Sequence, residues 1–429
     1  MVKLIYLVLD GVADRLIDRP TSLELANKPT LDNLARRGIC GVMYTVGKGY
    51  APESDVAVLS ILGHDPEKYY TGRGPLEALG AGIRIKEEYE VAFRANFATI
   101  DPRTLRIIDR RVGRTLTTDE ARKLAEAVDN LDLGLYEGYV RVKATIGHRA
   151  VVVIGSRRYK LSDNVDNSDP AYARKGKINI AVKDYKPYLK QVKPLDETEE
   201  SKRTAELANI FTQRVIEILD KHPVNVEREK KGLLKANLIL LRDAGGKLPR
   251  IEPIEKRFNR KFVAITEMPV EKGIARLLGM GIIEVPPPTQ DKRRDYAIRL
   301  DATLNGLRKA DVVYVHLKGP DEPGHDGNLK GKVKSIELID KYFVRPLLDH
   351  IDLEETAILV TADHATPPTV KAHTDDPVPV VLVHAKIKPD SVEKLVEKEC
   401  YERGSLGIIE HGYELLPKVF KIIETIEKQ

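Results

Sequence analysis

The sequence predicts an α/β protein in which a mostly parallel sheet, flanked by helices, is interrupted by an inserted α+β domain. The first observation is a series of near-continuous apolar runs, such as KLIYLVLD, DVVYVHL and TAILVTAD, near both ends of the chain. Such runs are typical of parallel strands that are covered on both faces. The second observation is that helical patterns separate these runs, and the third is a middle region with alternating strands. One sheet domain built from both chain ends accounts for all three.

Each element of the sheet domain has its own pattern. We expect strands at KLIYLVLD, FVAIT, DVVYVHL, TAILVTAD and VPVVLVH. Between them, TSLELANKPTLDNLARRGI predicts two short helices broken at Pro29. The segment PVEKGIARLLGMGI predicts a helix ending in glycine, and KGKVKSIELIDKYFVRPLLDHI has apolar residues at helical spacing.

The middle of the chain has a different pattern. From about residue 80 to 260, the runs VAFRANFATI, LRIIDRR, YVRVKATI and RAVVVIG alternate, and a long charged helix follows. Alternation favours antiparallel strands with helices on one side. A chain of 429 residues also exceeds the size of a single core. We therefore expect a discontinuous domain at 1–78 and 263–429, and an inserted domain at 79–262.

Composition and charge exclude several classes of protein. The net charge is only +5, and the charges are interspersed rather than clustered as nucleic-acid binding requires. Since no apolar stretch approaches about 18 residues and the N-terminus lacks a cleavage signature, we expect neither a membrane span nor a signal peptide. The two cysteines, Cys40 and Cys400, favour a reducing cytoplasm over a disulfide framework. Abundant Lys, Arg and Glu without Trp favour a thermophile, although surface solubility explains them as well.

Three of the apolar strands run into an aspartate. Asp10 follows LIYLVL, Asp321 follows VVYVHLKGP and Asp363 follows AILVTA. A single acid in such a place is usually a turn residue or a helix cap. In open α/β sheets, however, ligands bind beyond the carboxyl ends of the strands, so parallel strands would bring these acids to one edge.

Histidines accompany two of these acids and indicate metal binding. His325 lies in PDEPGHDG, His364 in TADHATPP and His373 in VKAHTDDPVP. Pro323 and Gly324 favour a loop around His325. Imidazole and carboxylate ligands suit Zn²⁺ or Mn²⁺. Three aspartates and three histidines exceed the ligands of a single catalytic zinc, so two metal ions are the simpler interpretation.

A nucleophile between two divalent ions is best supplied by Ser54. It lies in YAPESDVAVLSILGHDP, directly before an apolar helical run, where a helix cap is the alternative role. At a helix N-terminus, backbone N–H groups stabilise an anion such as a phosphoryl group. Other signatures are missing, since GVMYTVGKGY lacks the spacing of a P-loop and no G-x-S-x-G surrounds the serine.

Together these motifs resemble a known family. Asp10-Gly11, PESDVAVLSILGHDP, YYTGRGPLEALGAG, PDEPGHDG and TADHATPP…KAHTDDPVP are similar to the archaeal-type cofactor-independent phosphoglycerate mutases of the alkaline phosphatase superfamily. The resemblance implies an alkaline-phosphatase-like sheet with an inserted substrate-gripping domain. It also implies two ions, usually Mn²⁺ with Zn²⁺ or Co²⁺ as alternatives, and no 2,3-bisphosphoglycerate. The implied ligands of one ion are Asp10, Ser54, Asp363 and His364, and those of the other are Asp321, His325 and His373.

The resemblance further implies an isomerase acting on phosphoglycerate. Ser54 would take the phosphoryl group from 3-phosphoglycerate, and the reoriented glycerate would take it back to give 2-phosphoglycerate. Closure of the insert would keep water out meanwhile. The insert should supply groups for carboxylate and phosphate. The candidates are Arg111, Arg114, His148, Arg149, Asp163, Arg242 and Lys272, and the match of Asp163 or Asp169 depends on an altered run, LSDNVDNSDP.

Two other kinds of function use the same residues. A phosphomonoesterase or phosphopentomutase of the same superfamily would need the same metal ligands and Ser54. A non-catalytic protein that binds metal or a phosphometabolite is the second alternative, but it needs no serine beside the metals. The large insert and the segment TGRGPLEALGAG favour the mutase.

Overall fold

The chain folds into two compact units in the computed structural model, which describes residues 1–175, 178–182 and 184–428. The first unit comprises Met1–Tyr70, Ile251–Glu267 and Ile274–Gln429, and the second comprises Thr71–Arg250 and Met268–Gly273. The expected boundary at 78/79 lies later than the observed one because the helix at 73–80 packs against strands of the second unit. The expected boundary at 262/263 also lies later than the observed one.

The described residues form the strands and helices that follow, numbered in chain order. The strands are β1 (Lys3–Leu9), β2 (Ile39–Met43), β3 (Glu90–Asp101), β4 (Arg106–Asp109), β5 (Gly138–Ala144), β6 (Arg149–Ser156), β7 (Tyr172–Lys175), β8 (Ile178–Ala181), β9 (Leu238–Gly245), β10 (Phe262–Ile265), β11 (Gly281–Ile282), β12 (Val312–Leu317), β13 (Thr356–Thr361), β14 (Val378–Val383) and β15 (Gly407–Ile409). The helices are α1 (Ser22–Leu25), α2 (Pro29–Arg37), α3 (Ser54–Ile61), α4 (Pro66–Tyr69), α5 (Arg73–Gly80), α6 (Thr118–Val128), α7 (Glu199–Leu219), α8 (Pro223–Lys230), α9 (Ile254–Phe258), α10 (Pro269–Leu277), α11 (Lys292–Leu307), α12 (Asp321–His325), α13 (Leu329–Ile339), α14 (Arg345–Leu348), α15 (Glu397–Arg403) and α16 (Leu415–Glu427).

The first unit contains an eight-stranded sheet with the order β11-β10-β12-β1-β13-β14-β2-β15. Its central strands β10, β12, β1 and β13 are parallel, whereas β14 runs antiparallel to β13 and β2. The central strands β12 and β13 are buried at every residue, as covered parallel strands should be. The predicted strands and the mostly parallel sheet are therefore confirmed. The predicted break at Pro29 is also confirmed, because α2 begins at that residue.

The second unit is built around the long antiparallel strand β3, which pairs with β4, β6 and β9. Alternate residues of β3 point to opposite faces of the sheet. Phe93, Ala95 and Phe97 lie in the main core of this unit, together with the apolar residues of α6 and α7. The antiparallel component predicted for the middle of the chain is thus confirmed, as is its long helix, α7.

Two remaining expectations concern the cysteines and membrane spans. Cys40 and Cys400 are both buried free thiols. None of the helices in the described ranges has both the length and the apolar character that crossing a bilayer requires.

A glycine contact joins α5 to the start of α10 within the second unit. A Cβ atom built on Gly273 would lie 1.9 Å from the carbonyl oxygen of Leu76, and one on Gly80 would lie 1.7 Å from that of Pro269. Real side-chain atoms do not approach a backbone oxygen so closely, so only glycine allows the two helices to touch. The glycines of LEALGAG and VEKGIARL are therefore explained by helix packing.

The contact predicts the result of adding one methyl group. Gly273→Ala should lower the free energy of unfolding by about 2 kcal/mol, because the helix backbones must separate to admit the Cβ atom. The measurement is the midpoint of thermal unfolding by circular dichroism. Gly47→Ala is the matched control, since its Cβ would lie 3.5 Å from the nearest side-chain atom. Equal midpoints for the two variants would contradict the prediction.

Candidate active site

The register of three parallel strands brings charged side chains together at one edge of the eight-stranded sheet. Val8 of β1 lies beside His316 of β12 on one side and beside Thr361 of β13 on the other. The residues two positions further along these strands are Asp10, Lys318 and Asp363. Parallel pairing therefore places two carboxylates and an ammonium at neighbouring strand ends, as the rule for open sheets predicts.

The first group of candidate ligands contains Asp10, Asp363 and His364. Their ligand atoms lie within 4.8 Å of one another, and all three residues are buried. The His364 Nε2 atom lies 3.2 Å from Asp363 Oδ2 and 3.5 Å from Asp10 Oδ1. The Oγ atom of Ser54 lies 3.2 Å from the same nitrogen. Ser54 and three residues far from it in sequence therefore converge on one point.

The second group contains Asp321, His325 and His373, which are more exposed. The Asp321 Oδ1 atom lies 3.4 Å from His325 Nε2 and 3.5 Å from His373 Nε2. The two imidazole nitrogens are 3.1 Å apart. His373 also stacks on His364, with ring centroids 3.7 Å apart, so the two groups adjoin.

The loop expected around His325 is wrong, because Asp321–His325 forms the short helix α12. Pro323 is the third residue of this helix, where a missing N–H removes no intrahelical hydrogen bond. The helix turn then places Asp321 and His325, four residues apart, on the same face.

Hydrogen bonds to the backbone orient the two histidines of the second group. His373 Nδ1 lies 2.7 Å from the carbonyl oxygen of Pro52, and His325 Nδ1 lies 3.3 Å from that of Lys371. A carbonyl oxygen can only accept, so each Nδ1 carries the proton. Once neutral, each ring would therefore have its lone pair on Nε2, on the side of Asp321, as is usual for histidines that bind a metal.

The hydroxyl of Thr366 joins the two groups, and the sequence analysis missed it. It donates to Asp321 Oδ1 at 2.7 Å and lies 2.9 Å from His364 Nδ1. Because the hydroxyl proton is directed at Asp321, the Nδ1–H group of His364 is the donor in the second bond. This fixes the tautomer in which His364 Nε2 can bind a cation beside Asp10 and Asp363.

Ser54 lies at the first residue of α3, but it is not the cap of this helix. The N-cap residue is Glu53, and its side chain makes no capping hydrogen bond. The Ser54 hydroxyl is directed instead at His364. The first N–H groups of α3 have no partner within the helix, so this end of α3 can stabilise an anion beside the serine.

Two carboxylate oxygens of the first group have no hydrogen-bond partner within the described residues. Asp10 Oδ1 and Asp363 Oδ2 are buried, and neither accepts a hydrogen bond from a residue that the structure describes. Burial raises the pKa of Asp10 against the opposing effect of Lys318. Burial would also raise the pKa of Asp363, but His364 and His316 outweigh it and hold that pKa well below its usual range. Buried carboxylate oxygens without hydrogen-bond partners fit a bound divalent cation.

The second group holds a proton that a cation would displace. Burial alone would lower the pKa of His373, but its hydrogen bond to Asp321 raises that pKa to about 9. A protonated imidazole cannot bind a metal, so cation binding at neutral pH should release this proton. Nitrogen and oxygen atoms make up both groups, which fits Mn²⁺ or Zn²⁺.

Two further residues of this edge, His316 and Lys318, were not among the predicted site residues. The His316 Nε2 atom lies 3.5 Å from Asp363 Oδ2 and 3.7 Å from Asp10 Oδ1. Its Nδ1 atom lies 3.0 Å from the hydroxyl of Tyr314. The Lys318 ammonium lies 3.0 Å from Asp10 Oδ2. The register of the strands could have identified both residues, because they lie at the end of the strand β12, which pairs with β1.

In the second unit, arginines gather on one face of the sheet. Arg94 of β3 pairs directly with Arg242 of β9, and Asn96 of β3 pairs with Arg149 of β6. Opposite residues of antiparallel strands share a face, so the three arginines lie together on the face turned away from the main core. The Nε atoms of Arg94 and Arg242 are buried and have no hydrogen-bond partner among the described residues. This face therefore fits an anionic ligand.

Other candidates lie close to these arginines. Burial, with Arg149 and Arg111 nearby, lowers the pKa of His148 to about 3, so its ring is neutral. Arg114 also contributes to that shift. Burial and the neighbouring Arg242 and Arg73 lower the pKa of Arg94 to about 9. The carboxylate of Glu77 accepts a hydrogen bond from Arg73 at 3.0 Å and lies 3.7 Å from Arg94 Nε. We call Arg73, Arg94, Arg111, Arg114, Arg149 and Arg242 the arginine cluster.

The structure gives different surroundings to Asp163 and Asp169, the two candidate aspartates of the LSDNVDNSDP run. Asp163 accepts a hydrogen bond at 2.9 Å from the backbone of Gly246, in the loop that follows Arg242. Asp169 is buried and forms a bidentate ion pair with Arg110, at 2.9 and 2.6 Å. Asp169 is thus engaged in a structural ion pair, whereas Asp163 lies beside the loop of a predicted arginine. Lys272 is half-buried on α10.

Comparison with known proteins gives consistent matches. Residues 35–225 match the family model of 2,3-bisphosphoglycerate-independent phosphoglycerate mutase. The chain is 49% identical to the protein of that name from Aeropyrum pernix, over 98% of this chain and 100% of the relative. It is 40% identical to the corresponding protein 1 of Archaeoglobus fulgidus, over 100% of this chain and 99% of the relative.

Solved structures are similar to this chain over nearly its whole length. The cofactor-independent phosphoglycerate mutase from Thermoplasma acidophilum is 33% identical, with a TM-score of 0.62 over 98% of this chain and 100% of that one. A protein from Pyrococcus horikoshii is 28% identical, with a TM-score of 0.76 over 99% of this chain and 97% of that one.

The bridging hydroxyl of Thr366 predicts a loss of metal affinity when it is removed. Thr366→Val keeps the side-chain volume but leaves Asp321 Oδ1 and His364 Nδ1 without this partner. The affinity for Mn²⁺ should fall by about 10-fold or more, as for other groups that orient metal ligands. Competition with a fluorescent chelator measures this affinity. Thr369→Val is the control, because Thr369 is exposed and its hydroxyl bonds to Asp18. An unchanged affinity in Thr366→Val would show that the bridge does not orient the ligands.

Proposed function

Because the chain belongs to the 2,3-bisphosphoglycerate-independent phosphoglycerate mutases, isomerases that interconvert 3-phosphoglycerate and 2-phosphoglycerate, we propose that it works through a phosphoserine at Ser54 beside two divalent metal ions. The observation that carries the proposal is the position of the Ser54 hydroxyl. It lies 3.2 Å from His364 Nε2, at the start of α3 and beside two buried carboxylates. A structural serine would need none of these neighbours.

The chain's own residues have defined roles in this proposal. Asp10, Asp363, His364 and Ser54 would hold one ion, and Asp321, His325 and His373 the other. Bound ions would neutralise charge on the phosphoryl oxygens and favour the ionised serine, and Mn²⁺ is the expected metal, with Zn²⁺ or Co²⁺ as alternatives. The N-terminus of α3 adds N–H groups that stabilise the transferred phosphoryl group.

The transfer itself proceeds in two balanced steps. The Ser54 hydroxyl loses its proton and its oxygen forms a bond to phosphorus, while the bond to the C3 oxygen of 3-phosphoglycerate breaks and that oxygen takes up a proton, leaving phosphoserine and glycerate. The C2 hydroxyl of glycerate then loses its proton and attacks the phosphorus, while the bond to the Ser54 oxygen breaks and that oxygen takes up a proton. The serine is regenerated and no water is consumed, which is why the reaction is an isomerisation.

Cations for the substrate's carboxylate and phosphate would come from the arginine cluster. Arg242, Arg149, Arg111 and Arg114 are the predicted members, and Arg94 joins them because it pairs directly with Arg242. His148, Asp163 and Lys272 remain proposed substrate-binding residues. Guanidinium groups suit both anions because they bind carboxylate and phosphate bidentately. A cytoplasmic location is part of the proposal and rests on the glycolytic substrate.

Removing the nucleophile or the metal should abolish the reaction. Ser54→Ala should lower kcat by about 10³-fold or more, as expected for loss of a nucleophile. Treatment with a chelator should do the same reversibly, and Mn²⁺ should restore activity. The assay follows 2-phosphoglycerate from 3-phosphoglycerate by ³¹P NMR without added 2,3-bisphosphoglycerate. Ser60→Ala, a buried serine of the same helix, is the control.

The products separate the proposal from its alternatives. Free phosphate as the main product would support a phosphomonoesterase and overturn the mutase. Turnover that persists in Ser54→Ala would overturn the phosphoserine. Absence of any turnover with phosphoesters, including phosphopentoses, would leave a binding protein as the explanation.

The arginine cluster predicts a defect in substrate binding. Arg242→Met should raise KM for 3-phosphoglycerate by about 30-fold, because a hydrogen bond to a charged group contributes about 2 kcal/mol. Steady-state kinetics measure this change. Arg158→Met is the control, since the Arg158 side chain is 71% exposed in the same unit. Equal KM values in the two variants would exclude Arg242 from substrate binding.

A further inference from the structure

A fully buried lysine lies behind the candidate metal ligands. Lys332 is on α13, and none of its surface is exposed. Its ammonium donates to the carbonyl oxygen of Ala13 at 2.9 Å, to Asp14 Oδ1 at 2.7 Å and to the carbonyl oxygen of Thr366 at 2.9 Å. A lysine has three N–H donors, so each of them is used.

The acceptors belong to the two loops that carry the first group of ligands. Ala13 and Asp14 follow Asp10 at the end of β1, and Thr366 follows His364 after β13. The loops also bond directly to each other, since the backbone N–H of Thr366 donates to the carbonyl oxygen of Ala13 at 3.0 Å. The ammonium therefore holds together two strand ends that are distant in sequence.

The helix that carries Lys332 is connected to the second group as well. Helix α12, with Asp321 and His325, precedes α13 by a three-residue turn. The side chain of Asn328 caps α13 by accepting from the backbone of Gly331 at 2.9 Å. One side chain thus links the segments that carry five of the six predicted Asp and His ligands.

Carboxylates behind the lysine complete a buried network. Asp14 accepts at Oδ2 from the backbone of Ser22 at 2.5 Å, and its own N–H donates to Glu397 at 2.9 Å. Burial raises the pKa of Glu397 to about 7. Asp14 is the carboxylate that contacts the Lys332 ammonium directly, at 2.7 Å. Buried ion pairs are often no more stable than apolar residues of the same volume, so this network suggests a role in geometry rather than in stability.

We propose that Lys332 is a positioning residue that fixes the segments Gly11–Asp14 and Asp363–Thr366 so that the metal ligands converge before an ion binds. The part of this proposal that concerns metal affinity rests on the proposed function. The part that concerns the two segments does not rest on the proposed function, because it concerns only the position of their backbone.

The test compares Lys332→Met with Lys334→Met in the full-length protein. Lys334 is on the same helix and its side chain is 66% exposed, so its loss controls for charge and helix propensity. Hydrogen–deuterium exchange, read by mass spectrometry without metal, reports the two segments directly. Chelator competition reports the affinity for Mn²⁺, and steady-state kinetics separate kcat from KM.

The expected result is local. In Lys332→Met, exchange should become at least about 10-fold faster in residues 11–14 and 363–366 and stay unchanged in the second unit. The affinity for Mn²⁺ should fall by about 10- to 100-fold. At subsaturating Mn²⁺, kcat should fall. KM for 3-phosphoglycerate should stay within about twofold, because the arginines proposed to bind the substrate belong to the second unit. Lys334→Met should match the wild type in each respect.

Three outcomes would overturn the proposal or separate it from the proposed function. Unchanged exchange in both segments would show that Lys332 does not fix them. Faster exchange throughout the chain would show a general structural role. If Lys332→Met fails to fold, Lys332→Arg keeps the charge but changes the three-donor geometry, and the same exchange comparison applies. A wild-type protein without mutase activity would overturn the proposed function alone, since the exchange result stands without it.

Discussion

The buried carboxylates at the end of the parallel strands are the constraint on which the site depends. Asp10 and Asp363 are both buried, and their ligand atoms lie within 4.8 Å of each other and of His364. Like charges at this separation in a low-dielectric interior repel strongly unless cations lie beside them. His316, His364 and Lys318 surround the pair for this reason, and a divalent ion would complete the neutralisation. The geometry of these strand ends therefore supports the proposed cation site.

The second unit has the opposite imbalance. Its sheet gathers guanidinium groups on one face, where Glu77 and Asp243 contribute only part of the balancing charge. The positive field is strong enough, together with burial, to keep His148 neutral. One unit thus gathers carboxylates at its strand ends, and the other gathers guanidinium groups on one face of its sheet.

A site residue could be predicted only where the sequence pattern around it is distinctive. Asp10 and Asp363 could be found because each ends an apolar strand, and parallel strands end at one edge. His316 was missed because a histidine within a buried strand resembles a core residue until the register with β1 is known. Thr366 was missed because the role of its hydroxyl follows only from its two hydrogen-bond partners, which the sequence does not reveal. Arg94 was missed for the related reason that its cross-strand neighbour cannot be known from an apolar run.

The alternating faces of β3 have a consequence for folding fidelity. Phe93 and Phe97 point into the main core, while Arg94 and Asn96 point to the opposite face. A shift of one residue in the pairing would exchange the two sets and bury a guanidinium among aromatic rings, so a misaligned sheet is strongly disfavoured. The polar pair in the middle of an otherwise apolar strand therefore also selects the correct alignment while the chain folds. Arg94, which is proposed to contact substrate, would then also disfavour misfolded forms with the wrong strand register.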